Sequence, residues 1–159
     1  MKWDEVVWRD RGDMFRGRYQ HTIDPKGRLS IPAKFRDVLA QFDGALIVVP
    51  NDNSIEVHPL EGWERLEARI NDKSMFDPDV RKIGRLYISR AKEVALDGVG
   101  RILLPPDSRE QGGLQRDVTL LGPGRQYFEI WDRMRFEEYE RTNGDGLPSL
   151  FEKLSALGV

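Results

Sequence analysis

The stretch HTIDPKGRLSIPAKFR, residues 21–36, has a counterpart 73 positions later in VALDGVGRILLPPDSR, residues 94–109. Both contain the pattern D-x-x-G-R, then a proline, then a second arginine, in the same register. The matched residues are Asp24 and Asp97, Gly27 and Gly100, Arg28 and Arg101, Pro32 and Pro105, and Arg36 and Arg109. Because an internal repeat in register indicates one architecture used twice, we expect two related halves.

The repeat continues without a gap, so the same order of elements is predicted in each half. A strand (18–23; 92–96) leads into the D-x-x-G turn, and a second strand ends at Pro32 or Pro105. A short helix follows, with the proline as its first residue. Two apolar strands come next, joined by the polar loops 50–53 and 122–126, whose Pro, Asn and Gly residues favour turns. An amphipathic helix carrying Trp63 or Phe136 closes each half.

These signals divide the chain into an N-terminal extension (1–13), a first module (14–72), a linker helix (73–87), a second module (88–141) and a tail with a short helix (142–159). The linker helix is expected to begin with Asp77 as its N-cap and Pro78 as its first residue. In the tail, Ser149 and Glu152 have capping-box spacing. This last helix could pack on the core of its own chain or on a neighbouring molecule, and we favour its own core.

Composition limits the class of protein. The 159 residues are 39% hydrophobic and 33% charged, with a net charge of −2 and no cysteine. Disulfides and thiolate metal sites are therefore excluded. No apolar run approaches the roughly 20 residues of a membrane span, and the first residues lack a secretory apolar region. These features predict a cytoplasmic protein with no membrane partner.

Charge is unevenly distributed along the chain. Residues 9–36 contain eight basic and three acidic side chains, whereas residues 129–145 contain six acidic side chains and three arginines. A cationic segment favours a polyanionic partner such as nucleic acid. The competing interpretation is a mixed, solvated surface.

The repeated turn has a chemistry that suits anions. Its Asp can accept backbone N–H bonds, its Gly permits a positive φ, and its Arg presents a five-donor fork to phosphate or to guanine. Lys26 adds a cation to the first turn, whereas Val99 stands at the matching position, so the second turn should bind anions more weakly. The alternative is that such turns only build hairpins. Arg36 and Arg109 could likewise pair with the turn aspartates or cap the short helices.

No enzymatic motif is present in the sequence. It contains no G-x-S-x-G, H-E-x-x-H or P-loop pattern, and His21 and His58 lack metal-ligand spacing. We therefore predict no catalytic residue, no metal site and no cofactor.

Three segments together resemble the MraZ family of bacterial transcriptional regulators: MFRGRYQHTIDPKGRLSIPAKFR, ALDGVGRILLPPDSR and FEIWD. The resemblance covers the chain from Met14 to about Arg141. It implies a mainly β fold with short helices (α+β), in which two tandem swapped-hairpin SpoVT–AbrB modules form a pseudo-twofold unit. Each hairpin strand would pair with strands of the other module.

The resemblance also implies a function. Family members bind double-stranded DNA at direct repeats in the promoter of the division and cell-wall gene cluster, which begins with their own gene, and act as autorepressors. They assemble into closed rings, here expected to hold about eight or more subunits. The expected location is the cytoplasm, in association with the nucleoid.

Carried over by position, the resemblance predicts which residues serve the DNA site. The DNA contacts would be Arg28 and Arg101, helped by Lys26, Arg16 and Arg18. The turn-forming residues would be Asp24, Gly27, Asp97 and Gly100. The chain departs from the family pattern at residues 1–13, which precede the usual first residue, and at Val99.

Two other classes of function also fit the sequence. One is an antitoxin-type AbrB-like DNA binder that neutralises a partner protein. The other is an oligomeric interaction scaffold that binds no DNA, for which the net charge of −2 is the main argument.

Overall fold

The computed structural model describes residues 14–159, so the predicted extension at residues 1–13 lies outside it. The strands in this part of the chain are β1 (Phe15–Thr22), β2 (Arg28–Ser30), β3 (Leu46–Asn51), β4 (Ser54–Pro59), β5 (Lys92–Val94), β6 (Arg101–Leu103), β7 (Asp117–Arg125) and β8 (Phe128–Asp132). The helices are α1 (Ala33–Leu39), α2 (Leu60–Asn71), α3 (Pro78–Leu86), α4 (Pro106–Gln111), α5 (Arg133–Asn143) and α6 (Leu147–Ala156). Single 3₁₀ turns, Ile88–Arg90 and Gly144–Gly146, follow α3 and precede α6.

The strands form one six-stranded antiparallel sheet and one two-stranded ribbon. The sheet has the order β1-β7-β8-β4-β3-β5, and the ribbon pairs β2 with β6. The first strand of each half lies on the third strand of the other half: β1 pairs with β7, and β5 pairs with β3. This exchange confirms the predicted α+β fold of two swapped-hairpin modules.

A pseudo-twofold axis relates the two halves, and the strand registers show where it passes. In the ribbon, Leu29 lies opposite Ile102. In the sheet, Glu56 lies opposite Glu129. Both pairs join residues that are 73 positions apart, which is the offset of the repeat. The axis therefore runs through the centre of the ribbon and the centre of the sheet.

The main core lies between the sheet and the ribbon and contains side chains from both halves. Phe35 of α1 packs edge-on against Phe15, with ring centres 5.3 Å apart, and its ring centre is 4.9 Å from that of Phe128. Burial of aromatic side chains supplies much of the apolar area that stabilises a small domain. The two halves therefore share one core.

A second apolar cluster covers the opposite face of the sheet. Trp63 of α2 packs there with Ile47 and Val49, and Tyr87 lies beside it with ring centres 5.5 Å apart. Because helices cover one face and the ribbon covers the other, every residue of β4 is buried, including the polar ones.

The second predicted loop is partly a strand, which corrects its boundary. Residues 122–125 belong to β7, because the eight-residue β1 lies alongside it as far as Arg125. Likewise, β3 continues through Asn51, and the turn to β4 consists of Asp52 and Asn53, whose φ angles are +52° and +63°. Two consecutive positive φ angles are typical of the tight hairpin turns that Asp and Asn favour.

The linker helix begins as predicted, whereas the short helices differ in detail. Asp77 caps α3 by accepting a hydrogen bond from the Asp79 amide, and Pro78 is its first residue. Pro32 and Pro105 occupy the N-cap positions of α1 and α4, one residue earlier than predicted. Their extended backbone ends the preceding strand and leads into the helix.

The predicted helix in the tail is present, but its predicted capping box and its packing are wrong. α6 starts at Leu147, so Ser149 lies inside the helix and makes no capping box with Glu152. The helix does not pack on its own core either, since every residue from 137 to 159 is exposed.

Candidate nucleic-acid interface

The first D-x-x-G-R turn is organised around one carboxylate. Asp24 Oδ1 accepts the backbone N–H groups of Lys26 and Arg28, both at 2.9 Å. Its Oδ2 accepts the Arg28 Nε–H at 2.6 Å. The Arg28 backbone bond heads the causes that lower the pKa of Asp24 below the ordinary aspartate value. The carboxylate thus fixes both the backbone of the turn and the direction of its arginine.

The second turn repeats this geometry. Asp97 Oδ1 accepts the amides of Val99 and Arg101 at 3.0 and 2.9 Å, and its Oδ2 accepts the Arg101 Nε–H at 2.8 Å. Its pKa is also lowered, chiefly by the backbone bond from Arg101. The same hydrogen bonds form in both halves, so the turn is one structural unit present twice.

Each turn is also fastened to the other half of the molecule. Gly27 and Gly100 have φ angles of +85° and +82°, which an L side chain rarely adopts. The Gly27 carbonyl accepts the Leu104 amide at 2.9 Å, and the Gly100 carbonyl accepts the Ile31 amide at 3.0 Å. The turns therefore depend on the ribbon, in which the halves meet.

The ribbon places both turn arginines on one surface. Leu29 and Ile102 point into the core, whereas Arg28 and Arg101 alternate with them and are partly exposed, with 35% and 32% of their side-chain area accessible. Because Arg28 lies opposite Leu103, two residues from Arg101, the Cα atoms of the two arginines are about 8 Å apart. We call this face, with its two turns, the ribbon surface.

The two ends of the ribbon surface differ in chemistry. Lys26 is exposed on the first turn, and Val99 occupies its place on the second with 67% of its area accessible. The swapped pairing places α4, with Asp107 paired to Lys92 at 2.5 Å, beside the first turn, and α1, with an exposed Lys34, beside the second. The turns themselves therefore differ by one cation, Lys26.

The predicted helper arginines do not lie at the turn. Arg18 is six residues before Asp24 on an extended strand, about 20 Å away, and Arg16 is farther still. Arg18 pairs with Glu140 and lies over the Phe136 ring, 5.0 Å from its centre. The structure therefore brings together Arg28, Arg101 and Lys26, but not Arg16 and Arg18.

Two arginines of the second half, not predicted for the site, lie beside the first turn instead. Arg109 lines a shallow cleft with Lys26, and Arg116 lines a neighbouring cleft with Asp24. Arg109 also donates to the Gln115 carbonyl at 3.1 Å, which secures the end of α4. By the same symmetry, Arg36 packs against Gly100 of the second turn. Only the swapped pairing, applied to the repeat, could have revealed these contacts.

A second polar cluster lies on the far side of the sheet. Glu56 accepts hydrogen bonds from His58 Nε2 at 2.9 Å, from Asn51 at 2.8 Å and from the Tyr87 hydroxyl. Because partners within the chain satisfy this carboxylate, the cluster serves to attach the segment after α3 to the sheet.

Within residues 14–159, no group of three or more His, Asp or Glu side chains is placed to hold a metal ion. Over the same residues, no helix is both long enough and apolar enough to cross a bilayer.

Comparisons with known proteins agree with this architecture. Residues 14–86 and 87–152 each match the MraZ protein family, whose description likens it to antitoxins. A protein of Acetivibrio thermocellus named transcriptional regulator MraZ is 38% identical over 92% of this chain and 100% of its own length. A protein of the same name from Moorella thermoacetica is 41% identical over 89% of this chain and 96% of its own length.

The double match assigns one copy of the family motif to each half of the swapped fold. Together with the identity along nearly the whole chain, it shows that the protein belongs to the MraZ family.

Proposed function

We propose that this protein is a sequence-specific regulator of transcription that binds double-stranded DNA through the ribbon surface. The observation that carries the proposal is the pair of aspartate-anchored arginines, Arg28 and Arg101, whose Cα atoms lie about 8 Å apart on one exposed face. A guanidinium held at Nε can offer its remaining N–H donors to a phosphate or to the O6/N7 edge of guanine. The names of the relatives, transcriptional regulator MraZ, support the same function.

Within the ribbon surface, Arg28 and Lys26 make the dominant contacts and Arg101 makes weaker ones. The turns Asp24–Gly27 and Asp97–Gly100 hold these side chains in place. Arg109 lies close enough to Lys26 to extend the cationic surface, whereas Arg16 and Arg18 contribute little.

Assembly supplies the affinity that one chain lacks. A few phosphate contacts give weak binding at physiological salt, since each contributes a slope of about −0.9 in log affinity against log salt. A closed ring of about eight or more copies repeats the ribbon surface at fixed intervals, so that several copies engage direct repeats together. The target is the promoter of its own gene cluster, where binding represses transcription, and the protein is associated with the nucleoid.

The test is an Arg28→Ala variant assayed by gel shift on DNA from directly upstream of the gene. We expect affinity to fall by about ten- to a hundredfold, or 1–3 kcal/mol, and the salt slope to decrease by about one for a lost phosphate contact. Arg101→Ala should lose less.

Arg69→Ala is the matched control, because it removes an exposed arginine from α2, on the opposite side of the sheet. Oligomer mass and thermal stability are measured for all variants, so that a folding defect is recognised. Wild-type affinity in Arg28→Ala would contradict the assignment of the turn. Heparin retention that is indifferent to salt would favour a scaffold that binds no DNA.

A further inference from the structure

Two helices of this chain have apolar sides that nothing in the described chain covers. In α6, Leu147, Leu150, Phe151 and Leu154 recur at helical spacing, and 60% of the Phe151 area is accessible. In α3, no residue is buried, and 41% of Ile83 and 60% of Leu86 are accessible. Exposed contiguous apolar surface of this kind marks an interaction site.

Both helices are too short to be stable without a partner. α6 has ten residues and α3 has nine. Isolated helices of fewer than about 12–15 residues are marginal in water, and most helical stability in proteins comes from packing an apolar face. Each helix therefore requires contacts that one chain does not provide.

The apolar stripe of α3 continues from an anchored end. Tyr87, just after the helix, packs on Trp63 and donates to Glu56, which fixes this end to the sheet. Ile83, Val80 and Phe76 follow at intervals of four, three and four residues, and Phe76 is 80% accessible. The result is an apolar track that is attached to the sheet at its Tyr87 end.

The surroundings of the two helices have opposite charge. The exposed C-terminal arm, residues 137–159, carries five carboxylates and two cations, for a net charge of −3. The segment around α3, residues 71–90, carries five cations and three aspartates, for a net charge of +2. Opposite charges favour contact between the C-terminal arm and the segment around α3, whereas two arms would repel each other.

We infer that α6 of one copy docks on α3 of the next copy, with the α6 stripe packed against the Phe76–Ile83 track. The contact is head-to-tail, so that each copy offers one arm and one track, and repetition generates a closed ring or a filament. The inference rests on the assembly in the proposed function and names the surfaces that form it.

Substitutions on the two faces of α6 test the contact. Leu154→Asp places a charge in the stripe, and we expect light scattering to show a shift from the assembly to single chains. Ser149→Asp is the matched control, since it adds the same charge on the opposite face of the same helix and should leave the mass unchanged. Ile83→Asp on the α3 track should dissociate the assembly as Leu154→Asp does. An unchanged mass in both stripe variants would overturn the inference.

Disulfide trapping tests the pairing directly, because the chain has no native cysteine. Chains carrying Ile83→Cys and chains carrying Leu154→Cys, distinguished by tag size, are co-expressed and mildly oxidised. We expect a covalent dimer of one chain of each kind. Chains carrying Ile83→Cys and chains carrying Ser149→Cys should form little covalent dimer.

The outcomes separate this inference from the proposed function. Dimers of Leu154→Cys with itself, or an assembly that shows no cross-link, would overturn the docking while leaving the ring and its DNA binding intact. A wild-type protein that scatters light as a single chain would refute both the docking and the ring. Loss of the upstream-DNA gel shift with cross-linking preserved would refute only the DNA-binding proposal.

Discussion

Glu56 and Glu129 occupy equivalent positions in the two halves, but their pKa values are shifted in opposite directions. Burial raises the pKa of Glu56, but hydrogen bonds from His58, Tyr87 and Asn51 outweigh it and leave the pKa below the ordinary value. Burial also raises the pKa of Glu129. Among the described contacts, Glu129 receives a hydrogen bond only from the Trp131 indole, and it faces the Glu56 charge. Its pKa therefore stays above the ordinary value. The ionised carboxylate therefore stabilises the fold at position 56 and destabilises it at position 129.

We predict that Glu129→Gln raises the melting temperature at pH 7. A carboxyl with a raised folded-state pKa contributes stability below its unfolded pKa, about 4.3, and loses it as pH rises through the folded value. Glutamine removes that loss while keeping an acceptor for Trp131. The gain should therefore be present at pH 7 and absent near pH 4.

Glu56→Gln is the control, for which we expect a change in melting temperature of the opposite sign. Its lowered pKa means that ionised Glu56 stabilises the fold above about pH 4.3, with this stability lost as pH falls through the folded value. The substitution should therefore lower the melting temperature at pH 7. Thermal denaturation followed by circular dichroism at both pH values measures each effect. A Glu129→Gln variant with no gain at pH 7 would contradict the assignment.

At the scale of the element, the two D-x-x-G-R turns offer a matched pair. Gly27→Ala forces a side chain into a positive φ and should cost about 1–2 kcal/mol of unfolding free energy. Gly100→Ala carries the same strain, and its Cβ would also lie 2.7 Å from Arg36 Cδ. We expect it to cost somewhat more, since Arg36 must move.

The additional loss of unfolding free energy in Gly100→Ala should vanish when the Arg36 side chain has been removed. In an Arg36→Ala background, urea denaturation is expected to give Gly100→Ala the same cost as Gly27→Ala. An excess that persists would place its origin in the backbone of the turn instead of in the arginine.

The sequence was informative wherever its signals are local. The aspartate and glycine of each turn, the Asp77 cap and the order of the strands follow from side-chain chemistry over a few residues. The repeat gave the two halves, and the family resemblance supplied their swapped pairing.

Signals that depend on distant partners were not available from the sequence. The extent of β7 depends on β1, and the position of Arg109 depends on the exchange between halves. The apolar stripe of α6 indicated a packed helix but not the surface that covers it. The distance of about 20 Å between Arg18 and the turn, in contrast, follows from the strand that the sequence predicts at residues 18–23. Arg18 was assigned to the site by the family resemblance and not by this geometry.

At the scale of the whole molecule, the shared core predicts a single unfolding transition. β1 pairs only with the second half in the sheet, and Phe35 packs between Phe15 and Phe128. Phe35→Ala should therefore destabilise the entire chain by about 3–5 kcal/mol, because a large buried side chain leaves a cavity. Neither half should unfold before the other.

Urea denaturation followed by tryptophan fluorescence and by far-ultraviolet circular dichroism checks this. The chain has four tryptophans, so Trp3 and Trp8 are first replaced by phenylalanine. Variants that then keep only Trp63 or only Trp131 report on the first or the second half, and both should give the same midpoint. Met134→Ala, at a side chain with 77% of its area accessible, serves as the control and should change stability by less than about 0.5 kcal/mol. Separate midpoints would show that the halves unfold independently.

The unequal ends of the ribbon surface have one more consequence. A dimer of two identical modules contacts both directions of a DNA site in the same way, and it therefore suits palindromic sites. Here both modules lie on one polypeptide, so lysine can mark one turn and valine the other. In the DNA binding that we propose, a molecule with two different ends distinguishes the 5′ from the 3′ side of its target, and the proposed direct repeats require this polarity.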